Sequence, residues 1–485
     1  MSVRPALLVI VSFALAFAVP PALDSNPALT PSPTIPHLVP PKGNDPSQEP
    51  QFYVFSWQEF FALNWPAKMT SSGQPERGVP DPDGVFGEVK PGIPRVWETW
   101  KADYELFPVH QSGTLTPTPW SSWEVEGGDP CATGTGLRTL PFIAKGESVV
   151  LGGVNQAMGG PLVDQKRYYV RYEIRVNQSE YEKIVKNNWF LRKNVNNYPN
   201  PPNLLDASTQ DTYGAIELKA AWRRVDDSEK SRYYTTQAVL VDPKTGKCGT
   251  KPVTMGLVGL HIAHKTGGFK AWVWSTFEQV DNVSKGVGLK CPHSCSFYDG
   301  KYNDKSLYTW GFSPSTAYKP KNPDELEEDG HATPVQVIRL NPIKEMIKTL
   351  NDQVHHLQGV KGTVWENYEL VAGQWQDIEN QPDPIPISND TTAQDLYPTL
   401  VGFPTTDAIA NTSMETFYQG RKGELTPEPA RNPMGIPAFG TSCLHCHYAA
   451  AQYDFSWMLA DQAWPSSPGS QGTTKSDLKA KKGKH

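Results

Sequence analysis

Near the end of the chain runs Thr441-Ser442-Cys443-Leu444-His445-Cys446-His447. Two thiols with two residues between them can each add across one vinyl group of the same porphyrin. A histidine directly after the second thiol is then carried under the ring, where its imidazole can take an axial position on the iron. This spacing assigns Cys443 and Cys446 to two thioether bonds and His447 to the proximal face of one covalent haem c. The competing chemistry is zinc or a disulfide, because Cys443, His445, Cys446 and His447 all offer ligand atoms. Structural zinc usually draws on two separated ligand pairs, and the chain holds no second C-x-x-C.

Four cysteines stand outside this run: Cys131, Cys248, Cys291 and Cys295. In an exported protein an even number reads as disulfides. The short spacing of Cys291 and Cys295 makes a small-loop bridge plausible and leaves Cys131 with Cys248, although three pairings are open. A second haem at 291–295 lacks its histidine, since Ser296 stands in that position.

The context of these residues is export. Arg4 supplies a short positive start, Ala6 to Ala18 is unbroken apolar chain, and Ala16-Phe17-Ala18 offers a small-x-small cleavage site. Prolines 20 and 21 argue against a continuous spanning helix, so residues 1–18 read as a cleaved signal peptide and no stable membrane span is expected afterwards. The expected location is the bacterial periplasm or another exported compartment. Residues 19–50 read as a proline-rich linker that holds the folded part away from the new N-terminus.

With 485 residues the chain exceeds one typical domain. Its 15 Trp, 19 Tyr and 18 Phe suit a β-rich core. A net charge of −6 gives no electrostatic case for nucleic-acid binding. The expected fold class is α+β: a large β-rich body with short helices over 51–396, a mostly helical and loop haem c segment over 397–464, and a disordered basic tail over 465–485.

Several elements can be placed on that body. Ser56-Trp57-Gln58-Glu59 has the form of a capping box opening a short aromatic helix that ends at Trp65-Pro66. Trp97, Trp100 and Tyr104 fall on one face if 95–107 is helical. Strands are expected at 167–176, 213–223 and 233–241, with a Ser179-capped helix after the first. The strongest hairpin signal joins 253–264 to 269–280 through Lys265-Thr266-Gly267-Gly268. Strict alternation puts His261 on one face with Met255 and Leu257, and His264 on the other, so the two should not share a metal. Asn341-Pro342 predicts a helix to about His356, leaving His355 and His356 on the surface. Thr363 predicts a cap for another helix ending near Gly373.

Five stretches resemble large exported bacterial monohaem proteins of the cytochrome c family: residues 57–66 (WQEFFALNWP), 255–265 (MGLVGLHIAHK), 272–282 (WVWSTFEQVDN), 411–417 (NTSMETF) and 442–448 (SCLHCHY). The resemblance covers most of the folded body and implies covalent haem c and redox work outside the cytoplasm. It implies no particular reaction. In small soluble cytochromes of this family the distal methionine follows the motif by a long helical segment. Here only 38 residues follow His447, so the distal ligand is sought upstream or in the short following helix. Met434, in the loop before Cys443, is the favoured candidate, followed by Met458, Met414, Met255, His261 and His264.

Three functions fit this reading, the last being a haem-bearing binding or sensor module whose large domain recognises a partner. The first is electron transfer with a redox partner protein or a small-molecule donor or acceptor. The second is a haem-dependent oxidoreductase with an open distal site and a substrate pocket formed by the large domain, in which His261, His264, Glu278 or Asp281 would be acid–base groups.

Overall fold

The computed structural model describes residues 29–39, 46–107, 116–123, 131, 138–140, 161–195, 202–204, 213–242, 245, 247–266, 272–284, 291, 293–300, 330–339, 341–376, 402–403, 409–416, 443–448, 450 and 453–463. The expected signal peptide, the tail over 465–485 and Met434 lie outside the described residues.

Among the described residues the strands are β1 Ala67–Met69, β2 Pro75–Pro80, β3 Lys101–Ala102, β4 Arg138–Leu140, β5 Arg171–Val176, β6 Ile216–Arg224, β7 Thr235–Leu240, β8 Val253–His264, β9 Val273–Gln279, β10 Tyr368–Gln376 and β11 Gly402–Phe403. The helices are α1 Glu49–Leu63, α2 Asp103–Leu106, α3 Gln178–Lys186, α4 Arg192–Val195, α5 Glu345–His355, α6 Cys443–Tyr448 and α7 Trp457–Gln462. The fold is α+β and β-rich. One sheet of nine strands dominates, with the antiparallel path β11-β10-β9-β8-β6-β5-β3 and β7 and β4 attached beside β8. β1 and β2 form a separate pair. Among the described residues no helix is long and apolar enough to cross a membrane.

The two faces of the large sheet differ in chemistry. On one face Ile216, Leu218, Ala220 and Trp222 of β6 join Leu260, Ile262, Phe277, Leu370 and Trp375 in a core built around α1. We call this the aromatic face. α1 is apolar on nearly every side, and Phe52, Phe55, Trp57, Phe60, Phe61 and Leu63 are all buried, as suits a helix inside a core. Its start differs from the capping-box reading. The helix begins at Glu49 with Pro50 in its first turn, and Ser56 lies mid-helix, its hydroxyl donating back to the Phe52 carbonyl at 3.0 Å. Leu29, Ile35 and Val39 also pack against this core, so part of the proline-rich segment lies on the body and does not act as a free spacer.

The register of β8 corrects the facing of its histidines. Ala221 of β6 opposes Gly259, but Trp222 opposes Leu257, so Val258 is an extra residue in β8. A bulge of this kind puts one strand out of step with its partner. Met255 and Leu257 before it, and Leu260 and Ile262 after it, all reach the aromatic core. His261 therefore faces away from Met255 and Leu257. His264 faces Phe55 across 5.7 Å on the aromatic side. The two histidines still point to opposite faces.

Three further expectations change. The residues over 95–107 form a 3-10 turn at Val96–Thr99, then β3 and α2. Trp97 and Trp100 enter the aromatic core, while Tyr104 packs against a separate cluster. Thr363 does accept from the Trp365 N–H, but the turn it caps lasts only over Val364–Asn367 and runs straight into β10. The chain after it is a strand because β9 has an edge to be paired, and that pairing overrides a local cap signal. His355 is half-buried, with Nε2 donating to the Tyr368 carbonyl at 2.7 Å. The cap of α3 is Asn177, whose side chain accepts from the Glu180 N–H, in place of Ser179.

Cys131 lies against Cys248 and Cys291 against Cys295, with Cα–Cα separations of 5.6 and 5.7 Å. Both pairs are within disulfide reach.

Candidate functional site

Opposed residues in a sheet share a face, and the face turned away from α1 carries two polar rows. The first row is Glu217 of β6, Ala263 of β8, Trp274 of β9 and Gln374 of β10. The second is Lys219, His261, Thr276 and Ala372. The rows are two residues apart, about 7 Å along the strands.

The C-x-x-C-H run forms α6 over the first row. Positions 443, 446 and 447 stand i, i+3 and i+4, which share one side of a helical turn. α6 is docked by the Leu444 N–H, which donates to Gln374 Oε1 at 2.7 Å. Leu444 itself is buried beside Trp272 and Trp274, with Cys443 packed against the same cluster.

Two contacts bear on the orientation of His447. Its ring lies 5.7 Å from Trp274, centroid to centroid. Its Nδ1–H donates to the Phe455 carbonyl at 2.7 Å. A neutral imidazole that donates through Nδ1 carries its lone pair on Nε2. A backbone carbonyl on the second ring nitrogen is the usual way in which a metal-bound histidine is held in tautomer and plane. The chain thus offers two thiol positions and one oriented imidazole on a single turn, and these residues fit a covalent haem.

That carbonyl is itself held firmly. Asp454 and Phe455 have φ of 55° and 63°. The left-handed region is tolerable for Asp and costly for Phe, and such conformations persist only where the surroundings over-determine them. Four contacts do so here. Asp454 Oδ1 pairs with Lys265 Nζ at 2.7 Å, and Oδ2 accepts from the Leu204 N–H at 2.6 Å. Trp272 Nε1 donates to the Asp454 carbonyl at 2.7 Å. The Phe455 N–H donates to the Ala450 carbonyl at 3.0 Å. Next along the chain, Ser456 caps α7 and donates from its hydroxyl to Glu217 Oε2 at 2.8 Å. Burial raises the Asp454 carboxyl, and the Lys265 ammonium pulls it back down.

The second row carries His261. Its Nε2 lies 3.1 Å from Glu415 Oε2, an oxygen that also accepts from the Asn411 N–H at 3.0 Å. Residues 411–416 are fixed over this row by Asn411, whose Nδ2 donates to Thr276 Oγ1 and to the Phe277 carbonyl. Gly259 makes that approach possible, because a Cβ there would lie 2.1 Å from Ser413 Oγ.

The comparisons with protein-family models, curated proteins and solved structures return no match. The chemistry is read from the residues alone.

The structure gathers the five stretches quoted from the sequence around these two rows. Residues 255–265 and 272–282 supply β8 and β9, 411–416 and α6 cover their polar face, and α1 backs them on the aromatic face. His264 is engaged at both nitrogens. Nε2 donates to the Tyr213 carbonyl and Nδ1 bonds Glu59, so one proton is shared with a carboxyl that burial raises. His264 and Met255 lie on the aromatic face, remote from α6. Met414 is packed beside Tyr172 and Val258. Met458, at the start of α7, is buried in the cluster that holds Leu444, so it stays on the side of the sheet that carries α6 and His261.

Glu278 and Asp281 have structural partners. Glu278 binds Arg339 at 2.8 Å and accepts from both the N–H and the hydroxyl of Thr412. Asp281 takes a two-pronged bond from Arg232 at 2.6 and 3.0 Å. Gln374, Asp454 and Glu415 were not singled out from the sequence, and Phe455 was read only as part of a helix over 448–459, which the left-handed pair at 454 and 455 interrupts. Glu415 lay inside a quoted stretch. A carbonyl such as that of Phe455 leaves no side-chain signal at all.

Proposed function

We propose that this chain is an exported c-type cytochrome that transfers electrons through one covalent haem c. The observation that carries the reading is the Nδ1 bond from His447 to Phe455, made on the same turn as Cys443 and Cys446. Haem, when bound there, supplies a one-electron iron couple. Cys443 and Cys446 would hold it covalently, and His447 would offer its Nε2 lone pair to the iron. The Phe455 carbonyl keeps the imidazole plane fixed and makes Nε2 more electron-rich. Leu444, Trp272 and Trp274, all buried in one cluster, exclude water from the ground on which α6 rests. Met434, Met458 and His261 are the candidates for the distal side.

The test is expression with periplasmic maturation, followed by a haem stain on a denaturing gel. The wild type is expected to keep its stain, and Cys443→Ala with Cys446→Ala to lose it. A wild type that never stains sinks the reading. Met434→Ala is expected to change the iron's coordination spectrum, and an unchanged spectrum removes Met434 as ligand.

The second reading is a haem-dependent oxidoreductase with an open distal site. It is favoured by one observation, the half-buried His261–Glu415 pair on the same sheet face as α6. Carbon monoxide separates the two. A reduced spectrum indifferent to it supports electron transfer, and a shifted one supports the open site.

A further inference from the structure

Glu180, on the first turn of α3, is fully buried, and among the described residues neither of its carboxyl oxygens has a hydrogen-bond partner. A buried carboxyl left unbonded costs stability in either protonation state, so its presence calls for a reason. α3 brings it over the first polar row. The charged groups that face it are Glu217 and Lys219 of β6, Lys265 just after β8, and Asp454. Within the buried cluster three carboxyls stand against Lys219 and Lys265, and Lys183 of α3, nearer the surface, faces Asp454 and not Glu180.

The cluster is tied to the haem motif on both sides of one peptide. Asp454 is bound to Lys265, and Ser456 is bound to Glu217. Between them stands Phe455, whose carbonyl holds His447.

We propose that Glu180, with Glu217, Asp454, Lys219 and Lys265, is a proton-loading site coupled to the haem iron. The proposal rests on the cytochrome reading. The step balances simply. When the redox partner delivers one electron to the haem, the carboxylate of the cluster would take one proton from solvent, so no net charge would be added to the buried site. Burial already favours the protonated form of Glu180, and the neighbouring carboxylates favour it further. A ferrous iron carries one positive charge fewer and raises the affinity for the proton again. The potential therefore falls as pH rises between the oxidised-state and reduced-state pKa values, and is flat outside that window.

The experiment is spectroelectrochemical titration of the holoprotein against pH, with redox difference infrared spectra of the same samples. The wild type is expected to show a window of one proton per electron, and a carboxylic acid C=O band that grows on reduction. Glu180→Gln is expected to lose both while keeping its haem and its visible spectrum. Glu217→Gln should shift the window without abolishing it. A haem-bearing wild type with a flat potential, or a Glu180→Gln protein with an unchanged window and band, overturns the proposal alone. A wild type without covalent haem overturns the cytochrome reading and this proposal with it.

Discussion

The two faces of the large sheet are made by the same strands and do opposite jobs. The aromatic face buries Trp57, Phe60, Phe61, Phe277, Trp365 and Trp375 against one another, with Phe52 and Trp375 stacked at 3.7 Å. The polar face buries Glu217, Lys219, Lys265, Glu278 and Asp454, each held by a hydrogen bond or an opposite charge. Apolar burial is non-directional and tolerates small shifts. Paired charges in a dry interior demand geometry, and add little net stability over an apolar replacement. The difference teaches that the aromatic face supplies the stability and the polar face spends some of it on orientation.

The comparison breaks most visibly at Trp57. It is fully buried, and its Nε1 donates to Asn351 at 3.1 Å. Trp57→Ala is expected to cost about 4 kcal/mol in urea unfolding, by cavity formation and loss of that bond. The coordination spectrum of the surviving folded fraction should not change, because the side chain lies on the far face from α6. A changed spectrum would mean that the faces are coupled.

A second test uses pH. Asp164 is fully buried, and burial raises its carboxyl from 3.8 to about 6, against the opposing pull of Arg223. Between those values the folded chain binds more protons than the unfolded one, so stability rises as pH falls through that window. The full cost, about 3 kcal/mol, is present above the folded value. Asp164→Asn keeps an oxygen to accept from the N–H groups of Lys166 and Tyr168. Its urea stability should vary less across that window than that of the wild type. Equal slopes would show that Asp164 titrates normally.

The smallest expected effect is at Gly259. Gly259→Ala should cost about 2 kcal/mol, by forcing Ser413 and its loop outward. Its diagnostic readout is the tautomer and titration of His261 by nuclear magnetic resonance, since Glu415 rides on that loop. An unmoved His261 signal would detach the second row from residues 411–416.

Much of this was legible in the residues. The pattern Cys443-x-x-Cys446-His447 needed no fold to be noticed, because the chemistry sets the spacing. β8 matches its expected limits to the residue, and the ends of β6 and β7 were missed by only a few. β10 was mistaken for helix, since the cap at Thr363 is real and only the pairing edge of β9 turns the next residues into a strand. The support of His447 was hidden for a different reason. It depends on the carbonyl of Phe455, on a left-handed pair that Asp454 and Phe455 do not favour locally, and on Lys265 and Trp272 from distant parts of the chain. Glu180 was not singled out at all, because a carboxylate on an amphipathic helix gives no local signal and only the tertiary packing buries it.

The extra residue at Val258 has a consequence of its own. In a strand each side chain has only odd or even to distinguish its destination, and β8 changes parity once, between its two halves. Met255 and Leu257 count one way, Leu260, Ile262 and His264 the other, yet all reach the same core. Excising Val258 would restore a single count without moving either histidine: Leu260, Ile262 and His264 would fall into step with Met255 and Leu257, and His261 would stay on the opposite face. The extra residue is therefore a spare place in the count. A one-codon deletion there would straighten β8 and leave every address as it was, whereas one residue added between Leu260 and His261 would send the two histidines to each other's faces.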